Sequence, residues 1–125
     1  MSIMKSPVEF TSEVGAVSVA RSSTGNLVTT ISVGGVSKEY GPFVGTFTVT
    51  GANKAGQWTY EGFAMTADNS DLSGSFQGTY SALGATRWRT IGAVQIRSDS
   101  ALQSIRVEAE IDMDKRTWNG RLTPV

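Results

Sequence analysis

The chain of 125 residues contains no cysteine and no histidine. Without cysteine it cannot form a disulfide, a thiol nucleophile or a thiolate metal site. Without histidine it lacks the commonest metal ligand and the usual general base, so Ser-His and Cys-His catalytic pairs are excluded. We therefore predict a protein that holds no metal ion and no cofactor.

An excess of charge of one sign is also missing, since 11 Lys and Arg balance 11 Asp and Glu. Nucleic-acid binders and proteins that adhere to anionic membranes normally carry a basic excess. We therefore predict no nucleic-acid partner and no membrane partner. No apolar run approaches the ~20 residues that span a bilayer, and the first residues lack the apolar part of a secretion signal. We expect a cytoplasmic protein.

The sequence also lacks any segment of helical length with an apolar period near 3.6 residues. Glycine is abundant (14 residues), proline is scarce (3), and Thr, Ser and Val are spread throughout, which favours strands and tight turns. The densest acidic stretch, Asp68–Asp71, lacks the spacing of a calcium loop, and we interpret it as a turn. We predict one all-β domain over residues 1–125 with eight strands, at Val8–Ala20, Asn26–Ser37, Phe43–Gly51, Gln57–Thr66, Leu72–Ser81, Thr86–Ser98, Leu102–Met113 and Arg116–Leu122.

The seventh predicted strand shows the clearest alternation. Ile105, Val107 and Ala109 share one side, whereas Arg106 and Glu108 share the other, as is typical of a strand with one buried face. An open sheet of such strands would expose two edges, and closure into a barrel removes them. Glycines inside several strands would supply the bends of a small barrel. We predict an eight-stranded antiparallel up-and-down barrel, with a two-sheet β-sandwich as the alternative.

Three tryptophans, Trp58, Trp88 and Trp118, are spaced 30 residues apart. A strand and its turn take roughly 10 to 15 residues in antiparallel proteins with short connections. A step of this length therefore corresponds to one passage up the barrel and one passage down. We predict that the three tryptophans form one aromatic layer near one end of the barrel.

A glycine-rich segment resembles a known protein family. Gly74-Ser-Phe76-Gln-Gly78 is similar to the Gly-x-Phe-x-Gly segment of the allene oxide cyclase and dirigent proteins. The resemblance implies an eight-stranded, calycin-like antiparallel barrel with a hydrophobic interior. The chain lacks the Gly-Gly-Thr-Gly run that precedes this segment in the plant members. It also shows no match to the family's catalytic residues, so none are carried over.

An eight-stranded barrel is either just filled by side chains or holds one small ligand. Tyr60 and Tyr80 are the inward-facing residues best suited to donate or accept a proton, so they are the candidate catalytic residues. The candidate ligand contacts are inward-facing aromatic residues and one threonine, namely Trp58, Phe76, Trp88, Thr90 and Trp118.

The inward-facing glycines beside these aromatic residues have two interpretations. They either leave space for a flat apolar ligand or are covered by the aromatic rings themselves. The glycines concerned are Gly62, Gly74, Gly78, Gly92 and Gly120.

Three charged residues also have two interpretations. By alternation Glu61, Arg87 and Arg89 point outward to solvent. A β-bulge near Trp58 or Trp88 would turn them inward, where Glu61 would serve as a general base and Arg89 would bind an oxyanion.

The leading functional hypothesis is that a small hydrophobic molecule binds in an aromatic-lined barrel cavity. An enzyme of this composition would be limited to chemistry such as that of a cofactor-independent cyclase or isomerase, in which confinement and orientation lower the barrier. The alternative is a structural or interaction module with a solid core, which forms a homo-oligomer through strand edges or its charged face. Carbohydrate binding would require exposed tryptophans, which the alternation argues against.

Overall fold

A computed structural model describes residues 6–37, 40–51, 54–65, 71–98 and 102–125. These residues contain no helix that is long and apolar enough to cross a membrane. The eight predicted strands are confirmed, with bounds that differ from the prediction by at most two residues at either end. The strands are β1 (Val8–Arg21), β2 (Leu27–Ser37), β3 (Gly41–Gly51), β4 (Ala55–Met65), β5 (Asp71–Ala82), β6 (Arg87–Ser98), β7 (Leu102–Asp112) and β8 (Thr117–Pro124).

The strands follow one another around a closed barrel in chain order, and every neighbouring pair is antiparallel. Pairs between β1 and β8, including Val8 with Leu122 and Phe10 with Gly120, complete the closure. Closure satisfies the backbone groups that an open sheet would leave at its two edges. The predicted up-and-down barrel is therefore confirmed, and the β-sandwich alternative is wrong.

The core lies inside the barrel because alternate side chains of each strand point inward. In β7 the side chains of Ile105, Val107 and Ala109 are buried, whereas Arg106 and Glu108 are exposed. The same alternation buries Trp58 and Tyr60 in β4 and leaves Thr59 exposed. The period-two pattern of the sequence thus decides which face of each strand is in the core.

The first strand is irregular and longer than its neighbour β8. A β-bulge interrupts the β1–β2 ladder between Val14 and Val17. The pairs between β1 and β8 end at Glu13 with Thr117, so the second half of β1 continues with β2 as a hairpin. Gly25 turns this hairpin with φ of 90°, a backbone conformation that glycine adopts without strain. The hairpin therefore forms one side of the rim at this end of the barrel.

Candidate functional site

Aromatic side chains fill the middle of the barrel. Phe47 stacks on Trp58 with ring centroids 4.9 Å apart, and Trp118 meets Trp58 edge-on at 6.0 Å. Trp58 and Trp118 are each 1% exposed. Ring contacts connect all members of this aromatic layer, which we define as Phe10, Phe47, Trp58, Tyr60, Phe76 and Trp118. The middle of the barrel is therefore solid.

The prediction of one layer of three tryptophans is wrong for Trp88, which lines a cavity nearer the hairpin end. The row of paired residues that starts at Trp58 runs through Gly78, Gly92, Val107 and Leu122. Trp88 and Trp118 each lie four residues before their member of this row, Gly92 and Leu122 respectively. Because barrel strands are tilted, a row of paired residues climbs along the barrel from strand to strand. A residue level with Trp58 therefore lies further before its member of the row on each later strand that runs in the same direction as β4. Four residues match this offset on β8, four strands from β4, but exceed it on β6, two strands from β4. Trp118 therefore faces Trp58, and Trp88 does not.

A cavity of about 220 Å³, here called the large cavity, lies between the aromatic layer and the end that carries the β1–β2 hairpin. Val17 and Leu27 of this hairpin border it and are 38% and 47% exposed, so they form part of its rim. None of the side chains that line the large cavity is charged. They are Val17, Leu27, Thr29, Ile31, Phe47, Val49, Tyr80, Trp88, Thr90, Ile111 and Met113.

Thr90 lies where the large cavity meets the aromatic layer. Its hydroxyl donates a hydrogen bond to the Ala109 carbonyl and accepts one from the Trp118 indole N–H, each 3.0 Å long. Thr90 borders the large cavity, and the residue is fully buried. Its hydroxyl anchors Trp118, and the predicted contact of Thr90 with a ligand stays a prediction.

A second cavity of about 60 Å³, here called the small cavity, lies on the other side of the aromatic layer. Tyr60, Phe76 and Trp118 of the layer form one boundary, and Phe43 and Leu72 lie among the other lining residues. Burial raises the pKa of Tyr60 above its ordinary value near 10, because a phenolate there would lose its hydration. Tyr60 is therefore a proton donor at neutral pH and is unsuited to act as a general base.

The structure divides the predicted site residues between the two cavities. Tyr80, Trp88 and Thr90 border the large cavity, whereas Tyr60, Phe76 and Trp118 border the small one. Trp58 lies within the aromatic layer and borders neither of the two. A single site that contains all seven predicted residues is therefore not formed.

Sequence reasoning missed the aliphatic side of the large cavity, which β1 and β2 supply. Leu27, Thr29 and Ile31 alternate along β2 and were available as a signal. The sequence gives no such signal for Val17, because the β-bulge after Val14 changes which residues of β1 face inward. The extent of the hairpin beyond β8 also depends on strand pairing and not on local sequence.

The inward-facing glycines do not create the cavities. A Cβ on Gly62 would overlap the Tyr60 side chain, and a Cβ on Gly92 would overlap the Gln77 carbonyl and approach the Trp58 ring at 2.8 Å. The rings therefore cover the glycines, as in aromatic rescue of bare strand positions. Gly78 and Gly120 are different, because there the backbone of the neighbouring strand takes the space of a Cβ. The interpretation that glycines leave room for a ligand beside Trp88 is wrong.

The charged residues Glu61, Arg87 and Arg89 are exposed, as alternation predicted. The ladders of β4 and β6 are continuous, and the β-bulge lies in β1 instead. Glu61 accepts a hydrogen bond from Ser75 at 2.6 Å, and Arg87 forms an ion pair with Glu110 at 2.6 Å. The hypothesis that Glu61 and Arg89 are catalytic groups inside the barrel is therefore wrong.

Among the described residues, no group of three or more acidic side chains is placed to hold a metal ion. The turn predicted at Asp68–Asp71 lies outside the described residues except for the backbone of Asp71. The side chains that line the two cavities are uncharged, and they offer apolar contacts and hydroxyl groups.

No family model, curated protein or solved structure matches the chain. The resemblance of residues 74–78 to the allene oxide cyclase and dirigent proteins therefore stays a prediction. The barrel architecture rests on the strand pairing itself.

Proposed function

We propose that the protein binds a small, neutral, hydrophobic molecule in the large cavity. The observation that carries this proposal is a space of about 220 Å³ whose lining side chains are all uncharged. A charged ligand would lose its hydration there without gaining a partner, so the lining favours a neutral one. Concave, mostly apolar sites with a few polar groups are typical of small-molecule binding.

The volume limits the size of the ligand. An engineered apolar cavity of ~150 Å³ binds benzene. The large cavity, at about 220 Å³, therefore suits a bicyclic ring system of about ten non-hydrogen atoms. Trp88 and Phe47 border the cavity and offer aromatic faces to such a ring. A flat apolar molecule is therefore the ligand class that these residues favour.

Tyr80 is the residue on which enzymatic use of the large cavity would depend. Burial raises the pKa of Tyr80, so its hydroxyl keeps its proton at neutral pH. In a cofactor-independent cyclase or isomerase Tyr80 would polarise a substrate oxygen. This activity stays a prediction, as does the alternative that the barrel is an oligomeric interaction module.

Substitution of Val49 by Phe tests the binding proposal. Val49 is half-buried, borders the large cavity and pairs with Thr29 and Trp58 on the neighbouring strands. Val49→Phe places a ring in the empty space, so we expect naphthalene, a neutral bicyclic probe, to bind at least about tenfold more weakly. Binding is measured by NMR titration that follows the backbone amide of Gly51, which lines the cavity.

The matched control is Val44→Phe, because Val44 lies on the outer face of the same strand and is 37% exposed. We expect this variant to bind naphthalene as the unmodified protein does. Equal affinities of the Val49→Phe and Val44→Phe variants, or no saturable shift in the unmodified protein, would contradict binding in the large cavity.

A further inference from the structure

The Tyr60 hydroxyl occupies a specific position beside the small cavity. The Tyr60 ring lies along the barrel wall over Gly45 and Gly62, which pair with each other across β3 and β4. Gly62 and Gly74 line the small cavity and also pair, so the row continues to β5. These glycines let the ring extend toward the small cavity, because a side chain on Gly45 or Gly62 would overlap its hydroxyl.

No hydrogen bond joins the Tyr60 hydroxyl to another described residue. The whole residue is only 4% exposed, and burial alone accounts for the raised pKa of its phenol. Every fully enclosed side-chain nitrogen or oxygen in the described part of the chain has a partner. The Tyr60 oxygen is therefore not fully enclosed, and Tyr60 lines the small cavity, from which a water or ligand can supply a hydrogen-bond partner.

The other lining residues make this environment selective. Phe10, Phe43, Leu72 and Ile96 are apolar, and the Ser37 hydroxyl oxygen already accepts a hydrogen bond from the Tyr40 amide at 2.9 Å. One water needs ~10–15 Å³, so 60 Å³ admits only a few non-hydrogen atoms. The small cavity therefore suits a compact molecule with an apolar body and one polar atom.

We propose that the small cavity is a second binding site, which takes a small neutral molecule whose carbonyl or ether oxygen accepts a hydrogen bond from the Tyr60 hydroxyl. The site is separate from the large cavity, because the aromatic layer lies between them. It also differs in chemistry, because an almost wholly apolar lining is combined with one hydrogen-bond donor, the Tyr60 hydroxyl, that selects for a ligand oxygen. The proposal does not rest on the function proposed for the large cavity.

An NMR titration with acetone tests the second site. Acetone is a carbonyl compound of four non-hydrogen atoms, and the backbone amides of Gly62 and Gly74 report on the small cavity. We expect saturable shifts of these amides in the unmodified protein. In Tyr60→Phe the affinity should fall about 5- to 10-fold, which is the contribution of one hydrogen bond.

Two controls separate the site from other effects. Tyr60→Phe removes no hydrogen bond within the described protein, so its melting temperature should be unchanged or higher. Tyr80→Phe changes the phenol at the large cavity and should leave acetone binding at the small cavity intact. Addition of acetone should not shift the amide of Gly51, which reports on the large cavity. Equal acetone affinity of the Tyr60→Phe variant and the unmodified protein, or shifts that do not saturate, would overturn the proposal. Loss of naphthalene binding to the large cavity would leave this result unaffected.

Discussion

The aromatic layer and the large cavity share the strands β1, β3 and β5, yet one is solid and the other is hollow. On β3, Phe47 belongs to the layer and forms its boundary with the cavity, whereas Val49, the next inward-facing residue, borders the cavity without joining the layer. The inward-outward alternation of side chains is the same in both regions. The size of the inward-facing side chains and the direction in which their rings point therefore decide where the barrel is filled. The layer is solid because its large rings lie against one another and over glycines.

The two regions also differ in how the barrel wall is closed around them. At the large cavity β1 continues beyond its pairing with β8, and Val17 and Leu27 of the hairpin remain partly exposed. Side chains that face a void contribute less to stability than side chains packed on all sides.

The largest expected difference between the regions is in the response to removal of a tryptophan. Trp118→Ala opens a void in the aromatic layer, where Trp118 is 1% exposed, and we expect a loss of about 3–5 kcal/mol in the free energy of unfolding. Trp88 is half-buried beside the large cavity, so Trp88→Ala should remove only about half as much.

Urea denaturation of both variants measures the two losses under matched conditions. The same Trp88→Ala variant should bind naphthalene more weakly, because it removes an aromatic face of the large cavity. Equal losses of stability from the two substitutions would show that the large cavity is packed as tightly as the layer.

A smaller effect is expected where the two regions meet. Thr90→Val leaves the Trp118 indole N–H buried without its acceptor, and we expect a loss of about 1–3 kcal/mol in unfolding free energy. Thr59→Val is the control. It makes the same chemical change on the outer face of the barrel, where Thr59 is exposed, and leaves the aromatic layer unaltered. If Thr90→Val were as stable as Thr59→Val in urea denaturation, the hydrogen bonds of Thr90 would not anchor the layer.

An effect confined to high pH distinguishes the two buried phenols. Burial raises the pKa of Tyr60 above its ordinary value near 10. Below pH 10 the folded and unfolded chains both keep this proton, so the contribution of Tyr60 to stability is fully present. Above pH 10 the unfolded tyrosine ionises first, so the free energy of unfolding falls as pH rises, by ~1.4 kcal/mol per pH unit for this group.

Denaturation in urea between pH 9 and about 11.5 measures this slope. In Tyr60→Phe the slope above pH 10 should be shallower by the contribution of one tyrosine. Burial raises the pKa of Tyr80 in the same direction, and Tyr80→Phe is the comparison at the large cavity. Identical slopes in the unmodified protein and Tyr60→Phe would show that the Tyr60 phenol ionises as freely in the folded barrel as in the unfolded chain.

Much of the fold could be predicted from the sequence because it depends on local signals. Alternation such as that of Ile105, Val107 and Ala109 identifies a strand and its buried face. Turn signals such as Gly25-Asn26 end each strand close to its observed bound. The candidate site could be predicted only in part, because the level of an inward-facing residue depends on strand tilt and pairing.

By itself, the sequence determined the eight strands, the inward faces of the regular strands and the neutral, histidine-free chemistry of the interior. Only the tertiary structure decided that Trp118 faces Trp58 while Trp88 lines a cavity, and that rings cover the glycines. The physical reason is that alternation is a property of consecutive residues, whereas height in a tilted barrel is set by the pairing of all the strands between two residues. The division of the interior into two cavities is therefore a property of the closed barrel.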